Sequence, residues 1–196
     1  DAIKVIVKTA LVAGREMLTE LEAKAVLDAC RIAIVPTQRV AGIPDAAALA
    51  AQSMGYPVVL KILSDDISHK SDVGGVALNL QNESEVHNAA ATMLERVKHE
   101  RPEARIQGFT VQSMVKRKHA QELIVGSTID SVFGPVILFG QGGTAVEVMA
   151  DRAIALPPLN IPLAKALVSR TRVSKLLAGF RDTPKVDEAA LHGVLI

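Results

Sequence analysis

The chain has 196 residues, with 22 Lys plus Arg against 21 Asp plus Glu, so its formal net charge is +1. Hydrophobic residues make up 49% and charged residues 22%, which excludes disorder as the default and argues against a general nucleic-acid binder or an electrostatic membrane anchor. Cys30 is the single cysteine, which excludes internal disulfides and predicts a small core residue in a reducing, cytoplasmic setting. No uncharged run is long and unbroken enough to predict a membrane span.

Signals for alternating helices and strands fill the first half of the chain. Residues 1–16 lack the pattern of a signal peptide, so we interpret them as a linker from a preceding domain of a longer polypeptide. Thr19 and Glu22 form a capping box, which predicts a helix that runs to about Ala29. Hydrophobic runs and turn residues then predict a strand at Ile32–Val35, a helix at Pro44–Met54, a strand at Pro57–Leu63, a polar loop at Ser64–Gly75, a strand at Val76–Leu80 and a helix capped by Asn82 that ends near Pro102.

Strand signals dominate the chain after residue 105. They predict strands at Gly108–Val115, Glu122–Ile129, Pro135–Phe139 and Ala145–Met149, then helices at Ile161–Arg170, at Ser174–Leu177 and from Asp187 onward. Strands that follow one another in sequence favour antiparallel pairing. The predicted class is therefore α+β rather than a regular βαβ repeat. We expect a boundary between two lobes within residues 101–107.

Lys61 is the first candidate for chemistry, because it alone interrupts an apolar predicted strand. A half-buried ammonium group needs an anion, and a bound phosphate would supply one. An equally simple explanation is an edge-strand lysine that discourages aggregation. The strand alone does not choose between these two interpretations.

The loop after this strand is the second candidate. It contains His69, Lys70 and the pair Gly74 and Gly75, and a loop of this kind can lay backbone amides and a cation over phosphate oxygens. A solvated turn would use the same residues. The loop lacks the Walker pattern of a P-loop, so its signal is weak when taken alone.

The segment Gly140–Ala145 offers a different class, since it matches the dinucleotide-binding pattern Gly-x-Gly-x-x-Gly/Ala. A Rossmann-type NAD(P) site also needs a following helix and an acid about 20 residues further on. Asn160 stands where that acid would be, and the residues after the turn favour a strand. We therefore expect a glycine-rich turn here.

Four separated motifs resemble the ATP-grasp region of NDP-forming acyl-CoA synthetases, which are relatives of the β subunit of succinyl-CoA synthetase. They are Leu18-Thr-Glu-Leu-Glu-Ala-Lys, Gly55-Tyr-Pro-Val-Val-Leu-Lys-Ile, His69-Lys-Ser-Asp-Val-Gly-Gly-Val and Phe133-Gly-Pro-Val-Ile-Leu-Phe-Gly-Gln-Gly-Gly. The resemblance covers roughly residues 17–196. It implies two α+β lobes with antiparallel sheets that hold ATP: an N-terminal lobe at 17–105 and an incomplete, truncated C-terminal lobe at 106–196.

The resemblance also implies roles for single residues. Lys61 matches the lysine that reaches the nucleotide phosphates, and the loop with Lys70, Gly74 and Gly75 matches the mobile loop over them. Glu122 matches an acid that faces the nucleotide. The hinge whose backbone holds the adenine edge matches Gln112, Ser113, Met114 and Val115.

His69 matches a histidine that, in these synthetases, carries a phosphoryl group from another subunit's histidine to ADP. Imidazole suits this task because its neutral form is nucleophilic near physiological pH. If the same chemistry operates here, the reaction is acyl-CoA + ADP + phosphate ⇌ acid + CoA + ATP. The implied partners are CoA-binding and ligase domains of the same or a partner chain.

The resemblance implies Mg²⁺ beside ATP or ADP, but the family's main magnesium ligands lie on a later Asp-Ile-Asn-Pro-like strand pair. The sequence ends before such a motif. Glu147 and Asp151 can approach a metal, yet we assign no metal ligand in this chain. We expect weak Mg-ATP binding by the chain alone, and an exposed apolar edge that favours a homo-oligomer.

A second function stays open beside the synthetase. The segment Ala155-Leu-Pro-Pro-Leu-Asn resembles bacterial protein lysine acetyltransferases of the Pat type, in which synthetase-like domains are fused to an N-acetyltransferase domain. In such a protein this region would be a catalytically silent binding or regulatory module. The neighbouring domains of the complete protein would discriminate between the two functions.

Overall fold

The structure, a computed structural model, describes residues 2–67, 69–143 and 150–196. Contacts divide the chain into two compact units, Asp1–Lys116 and Arg117–Ile196. Each unit is built on an antiparallel sheet, which confirms the predicted α+β class. No helix in these ranges is long and apolar enough to cross a membrane.

A four-stranded antiparallel sheet forms the centre of the first unit, with the strand order β1-β4-β2-β3. Its strands are β1 (Thr37–Val40), β2 (Val58–Leu63), β3 (Val76–Leu80) and β4 (Gly108–Ser113). The helices described in this unit are α1 (Ala2–Val12), α2 (Glu20–Ala29), α3 (Pro44–Met54) and α4 (Glu83–Glu100). The predicted helix at Pro44–Met54, the strand at Val76–Leu80 and the helix cap at Asn82 are confirmed.

The core of the first unit lies between this sheet and helices α3 and α4. Alternate β2 side chains enter it, and α4 adds apolar residues at helical spacing. Alanines on α3 let that helix approach closely. Burial of each large aliphatic side chain contributes about 1.5–3 kcal/mol. The fully buried large residues of this core are Val58, Leu60, Ile62, Val86, Val97, Phe109 and Val111.

The strand predicted at Ile32–Val35 is wrong. Helix α2 ends at Ala29, Arg31 just beyond it has a φ of 60°, and the Ile32 amide donates to the Leu27 carbonyl over 3.0 Å, so this segment completes the helix end. Strand β1 begins only after Pro36, which has no N–H to donate to a ladder. The core position predicted for Cys30 is also wrong, because this residue is exposed at the helix terminus.

The N-terminal segment and the lobe boundary also differ from the sequence expectations. Most of the expected linker at residues 1–16 forms helix α1, in which Ala10 is buried. The compact units divide after Lys116, later than residue 105, because β4 pairs with both β1 and β2 inside the first unit.

The second unit has the strand order β5-β6-β7, with all neighbours antiparallel. Its core surrounds Phe139, which is fully buried against leucines and valines of the following helices. Sequence analysis did not predict β7, and the strand predicted at Ala145–Met149 lies entirely outside the described residues. The elements described in this unit are β5 (Leu123–Asp130), β6 (Gly134–Gln141), β7 (Arg152–Ala155), α5 (Ile161–Ser169), α6 (Ser174–Leu177) and α7 (Glu188–Val194).

Candidate functional site

Lys61 lies on an interior strand of the first sheet. Strand β2 pairs with β4 on one side and β3 on the other, and Lys61 is opposite Thr110 and Val76. The edge-strand interpretation of this lysine is therefore wrong. The five remaining residues of β2 are all buried, whereas the Lys61 side chain keeps 24% of its surface exposed.

The Lys61 ammonium belongs to a polar network that we call the Lys61 cluster, made of Glu20, Lys24, Thr37, Lys61 and Gln112. Lys61 Nζ lies 2.8 Å from Glu20 Oε1 and donates to Gln112 Oε1 over 3.3 Å. Lys24 Nζ donates to the same Gln112 oxygen over 2.9 Å, lies 3.4 Å from Glu20 Oε1, and also donates to Thr37 Oγ1. Two ammonium groups thus share one carboxylate, which leaves the cluster with one excess positive charge.

The pKa shifts in the cluster reflect burial and this shared charge. Burial acts to raise the pKa of Glu20, but the hydrogen bond and charge of Lys61, with a contribution from Lys24, hold that pKa below its ordinary value. Burial lowers the pKa of Lys24 despite the attraction of Glu20, and the charge of Lys61 lowers it further. Glu20 is therefore a carboxylate at neutral pH.

The start of helix α2 positions two members of the cluster. Thr19 caps the helix and accepts from the Glu22 amide, while the Glu22 carboxylate accepts from the Thr19 amide over 2.8 Å. Glu20 and Lys24 then stand one turn apart on the same face. Both Glu22 oxygens also accept from the Arg15 guanidinium, at 2.7 and 2.8 Å, and these contacts lower the pKa of Glu22 to about 2.

A cavity of about 430 Å³ adjoins the cluster within the first unit. Its wall combines apolar side chains with charged ones, and Glu20 belongs both to this wall and to the Lys61 cluster. Lys70, from the loop between β2 and β3, lines the same cavity. The lining residues are Arg15, Glu16, Met17, Leu18, Thr19, Glu20, Leu63, Ser64, Asp65, Ile67 and Lys70.

The glycine loop is folded onto its own backbone. The amides of Gly74 and Gly75 donate to the carbonyls of Ser71 and Lys70, over 3.1 and 2.7 Å. A Cβ on Gly75 would lie 2.6 Å from Ile62 Cγ2, so this glycine is required by close packing. Both amides are engaged by carbonyls rather than presented to a ligand, and the His69 side chain is exposed.

The residues predicted to hold adenine, Gln112–Val115, lie at the end of β4 and just after it, and they make different contacts. The Gln112 side chain is part of the Lys61 cluster, while the Ser113 and Met114 amides donate to the Pro36 and Pro57 carbonyls over 3.3 and 2.9 Å. Val115 is exposed, and its backbone makes no hydrogen bond to the described residues.

Glu122 lies in the second unit, beside the glycine-rich turn at Gly140–Gly143. Its carbonyl accepts from the Gly142 amide over 2.7 Å, and a Cβ on Gly143 would lie 2.9 Å from its carboxylate. Strand β6, which leads into this turn, has antiparallel neighbours on both sides, so the Rossmann interpretation is wrong. The end of that turn lies outside the described residues.

Asp151 has a structural role in the second unit. Its buried carboxylate accepts from the Arg172 and Val173 amides, both over 2.7 Å, just before helix α6. Glu147 lies outside the described residues. Among residues 2–67, 69–143 and 150–196, no group of three or more His, Cys, Asp or Glu side chains is placed to hold a metal.

Sequence reasoning missed Glu20 and Lys24 as site residues. Their signal is present in the sequence, because a Glu-x-x-x-Lys pair directly after a capping box predicts two opposite charges on one helix face. What the sequence does not show is that this face lies against β2 and β4, where Lys61 and Gln112 are found.

Comparison with known proteins identifies the class. Residues 9–196 match the family described as ATP-grasp domain, and the chain belongs to this family. It is 34% identical to the β subunit of ADP-forming acetate–CoA ligase II of Pyrococcus furiosus, over 100% of this chain and 81% of that protein. It is 39% identical to ADP-forming acetate–CoA ligase I of Archaeoglobus fulgidus, over 87% of this chain but about a quarter (24%) of that protein's length.

Solved structures agree with this assignment. An acetyl-coenzyme A synthetase 1 from Ca. Korarchaeum cryptofilum, described as dinucleotide-forming and in complex with coenzyme A, Ca-AMPCP and HgCl⁺, superimposes with a TM-score of 0.89. The two share 36% identity over 100% of this chain and 84% of that one. A second structure of that synthetase, with Mg-AMPPCP, has its phosphohistidine segment pointing towards the nucleotide binding site; it has a TM-score of 0.80 and 32% identity over 98% of this chain and 82% of that one.

Proposed function

We propose that this chain is the nucleotide-binding part of an NDP-forming acyl-CoA synthetase, and that Lys61 binds the phosphates of ATP or ADP. The observation that carries the proposal is the excess positive charge of the Lys61 cluster, together with the donor capacity of the Lys61 ammonium. An ammonium group has three N–H donors, and Lys61 has two acceptors among the described residues, Glu20 and Gln112. The third donor and the excess positive charge suit a phosphate oxygen.

The neighbouring features support the same ligand. Lys70 and Glu20 line one cavity, so a phosphate chain that extends from Lys61 past Glu20 into this cavity would meet a second cation. In this proposal the adenine edge binds at Gln112–Val115, where the Val115 backbone is available, and Glu122 faces the nucleotide. Mg²⁺ accompanies the nucleotide in this proposal, as it does in the second Korarchaeum complex.

Calorimetric titration of the complete protein with ATP and with ADP, in the presence of Mg²⁺, tests this assignment. Lys61→Met removes the charge and donors at similar length, and we expect binding at least about tenfold weaker because charged hydrogen bonds contribute roughly 1.5–3 kcal/mol. Lys98→Met, on the exposed face of α4, is the matched control and should bind as the parent does. Equal affinity in the Lys61→Met protein would rule out the phosphate role.

We further propose that His69 carries a phosphoryl group. The unprotonated ring nitrogen of His69 attacks the phosphorus of a phosphohistidine on a partner segment, forming one P–N bond as the other breaks. The other ring nitrogen of His69 gives its proton to solvent, and the departing partner imidazole takes one up from solvent. A β-phosphate oxygen of ADP then attacks the phosphorus, the P–N bond to His69 breaks, the imidazole takes up a proton from solvent, and ATP is formed. The exposed position of His69 supports a role that requires contact with another segment, as does the phosphohistidine segment named for the Korarchaeum synthetase.

Labelling tests this carrier role. The complete protein is incubated with radiolabelled ATP, and acid-labile, base-stable label is measured on this region after proteolysis. We expect the label on the peptide that contains His69 and its loss in His69→Asn, whereas His99→Asn on α4 should keep it. Label that persists in the His69→Asn protein on the same peptide would contradict the assignment.

The silent module of a Pat-type acetyltransferase remains a proposal for the same chain, resting on the segment Ala155–Asn160. Part of that segment has a structural explanation, since Leu159 is buried and Asn160 caps helix α5. This alternative predicts no label at His69, whether or not the module binds nucleotide. The domain order of the complete protein separates the two functions. An N-acetyltransferase domain would favour the silent module, whereas CoA-binding and ligase domains would favour the synthetase.

A further inference from the structure

We infer that Lys24 is a positioning residue, which fixes both acceptors of Lys61 and thereby aims the remaining Lys61 N–H at a phosphate oxygen. The inference rests on the proposed function, in which Lys61 meets the nucleotide phosphates. Neither the motifs of the sequence nor the comparisons assign Lys24 a role.

The donors of the two lysines are used differently. Lys24 donates to Thr37 Oγ1 and to Gln112 Oε1 over 2.9 Å, and its Nζ forms an ion pair with Glu20 Oε1 at 3.4 Å. Lys61 has two acceptors among the described residues. Three protein oxygens therefore surround Lys24 Nζ and two surround Lys61 Nζ, so Lys61 is the lysine with more capacity left for a ligand.

The two lysines meet at shared oxygen atoms. Glu20 Oε1 and Gln112 Oε1 are the two acceptors of Lys61, and Lys24 reaches the same two atoms. Lys24 is in turn anchored through Thr37, whose hydroxyl donates to the Val35 carbonyl over 3.0 Å just before β1. Any loss of Lys24 would free both acceptors to change rotamer, and Lys61 would follow them.

Burial makes this arrangement specific. The Lys24 side chain is 18% exposed and that of Glu20 is 19% exposed, so water competes little for their hydrogen bonds. The effect of Lys24 on a ligand should therefore pass through the geometry of Lys61, and substitutions at the two positions should not be additive.

A double-mutant cycle on the complete protein tests this coupling, with ATP and Mg²⁺ as the titrant. We expect Lys24→Met to weaken binding about fivefold when Lys61 is present, but less than about twofold in the Lys61→Met background. Equal losses of affinity in both backgrounds would mean that Lys24 contacts the ligand itself. No loss of affinity in either background would mean that Lys24 has only a structural role. Both results would overturn the inference.

A second variant separates position from charge. Lys24→Gln is uncharged, like Lys24→Met, but keeps an N–H donor for Glu20 or Thr37, so it should retain clearly more affinity than Lys24→Met. Equal weakening of the two variants would assign the effect to charge and contradict positioning. Thermal midpoints identify variants that fail to fold. If Lys61→Met itself binds ATP normally, the proposed function fails first, and that result is distinct from a failure of coupling.

Discussion

Each unit of the molecule has a carboxylate bound by several donors, and the donors differ in kind. Asp151 in the second unit accepts from two backbone amides over 2.7 Å, with the Arg172 guanidinium further away at 3.6 Å, and its side chain is 5% exposed. Glu20 in the first unit is held by the ammonium groups of Lys24 and Lys61 beside a cavity. Backbone amides keep their positions while the fold persists, whereas ammonium groups on flexible side chains can exchange one acceptor for another.

This difference separates an acid that maintains structure from one that takes part in binding. A ligand phosphate can compete with Glu20 for Lys61 without unfolding anything, but nothing can replace Asp151 without breaking the start of helix α6. The sequence suggested that Asp151 approaches a metal, although its oxygens are committed to the chain's own amides. The predictions that follow test this separation.

Asp151→Asn should have the largest effect on stability. The substitution removes the charge and turns an amide N–H toward a backbone N–H, which leaves at least one buried donor unsatisfied. We expect the free energy of unfolding of this chain to fall by about 3 kcal/mol, measured by urea denaturation. The exposed Asp182→Asn is the control and should change little. A loss of nucleotide affinity in a fully stable Asp151→Asn protein would instead make Asp151 part of the site.

Gly75→Ala tests whether the glycine loop is fixed by packing, like Asp151, or can change conformation, like the side chains of the Lys61 cluster. The new Cβ would lie 2.6 Å from Ile62 Cγ2 and 2.9 Å from the Lys70 carbonyl oxygen, so the loop must shift. We expect a loss of about 2 kcal/mol in the free energy of unfolding, typical of overpacking.

Gly126→Ala is the matched control for this glycine, because a Cβ there meets nothing within 4 Å. A Gly75→Ala protein as stable as the Gly126→Ala protein would show that the loop readily adopts another conformation. That outcome would favour a loop that moves when a nucleotide binds.

Periodicity and capping were sufficient to predict most of the regular structure. Helix α3, strand β2 and the Asn82 cap of α4 follow from local apolar spacing and from single capping residues. The strand at Ile32–Val35 was predicted wrongly because an apolar run was given more weight than the turn at Arg31. Strand β7 was missed because it is only four residues long and is specified by its pairing with β6.

The candidate site was only partly predictable for a related reason. Lys61 stood out because it interrupts an apolar strand, and the resemblance added Gln112 and the glycine loop. The contacts of Glu20 and Lys24 with Lys61 and Gln112 join residues far apart in sequence. Local patterns carry no information about such pairings, so the balance of donors and acceptors that supports phosphate binding required the fold.

Glu20→Gln should strengthen nucleotide binding, in contrast to Asp151→Asn. The amide retains an acceptor oxygen for Lys61 but removes the negative charge that competes with a phosphate. We expect ATP to bind the complete protein about fivefold more tightly, equivalent to about 1 kcal/mol, in a calorimetric titration. Weaker binding would show that the Glu20 charge is needed to hold Lys24 and Lys61 in place. Glu20 would then have a structural role, like Asp151.

The smallest expected effect is the pH dependence of stability that comes from Glu22. The Arg15 guanidinium and the Thr19 amide lower the pKa of Glu22 from its ordinary value of 4.5 to about 2. Its contribution to stability is therefore fully present above pH 4.5 and is lost as the pH falls toward 2. Glu22→Gln keeps the capping geometry but cannot titrate, so the difference in unfolding free energy between parent and variant should shrink across this range. Urea denaturation at several pH values measures this difference in unfolding free energy, with the exposed Glu16→Gln as the control. A difference that stays constant from pH 5 to pH 2 would mean that the Arg15 contact does not persist in solution.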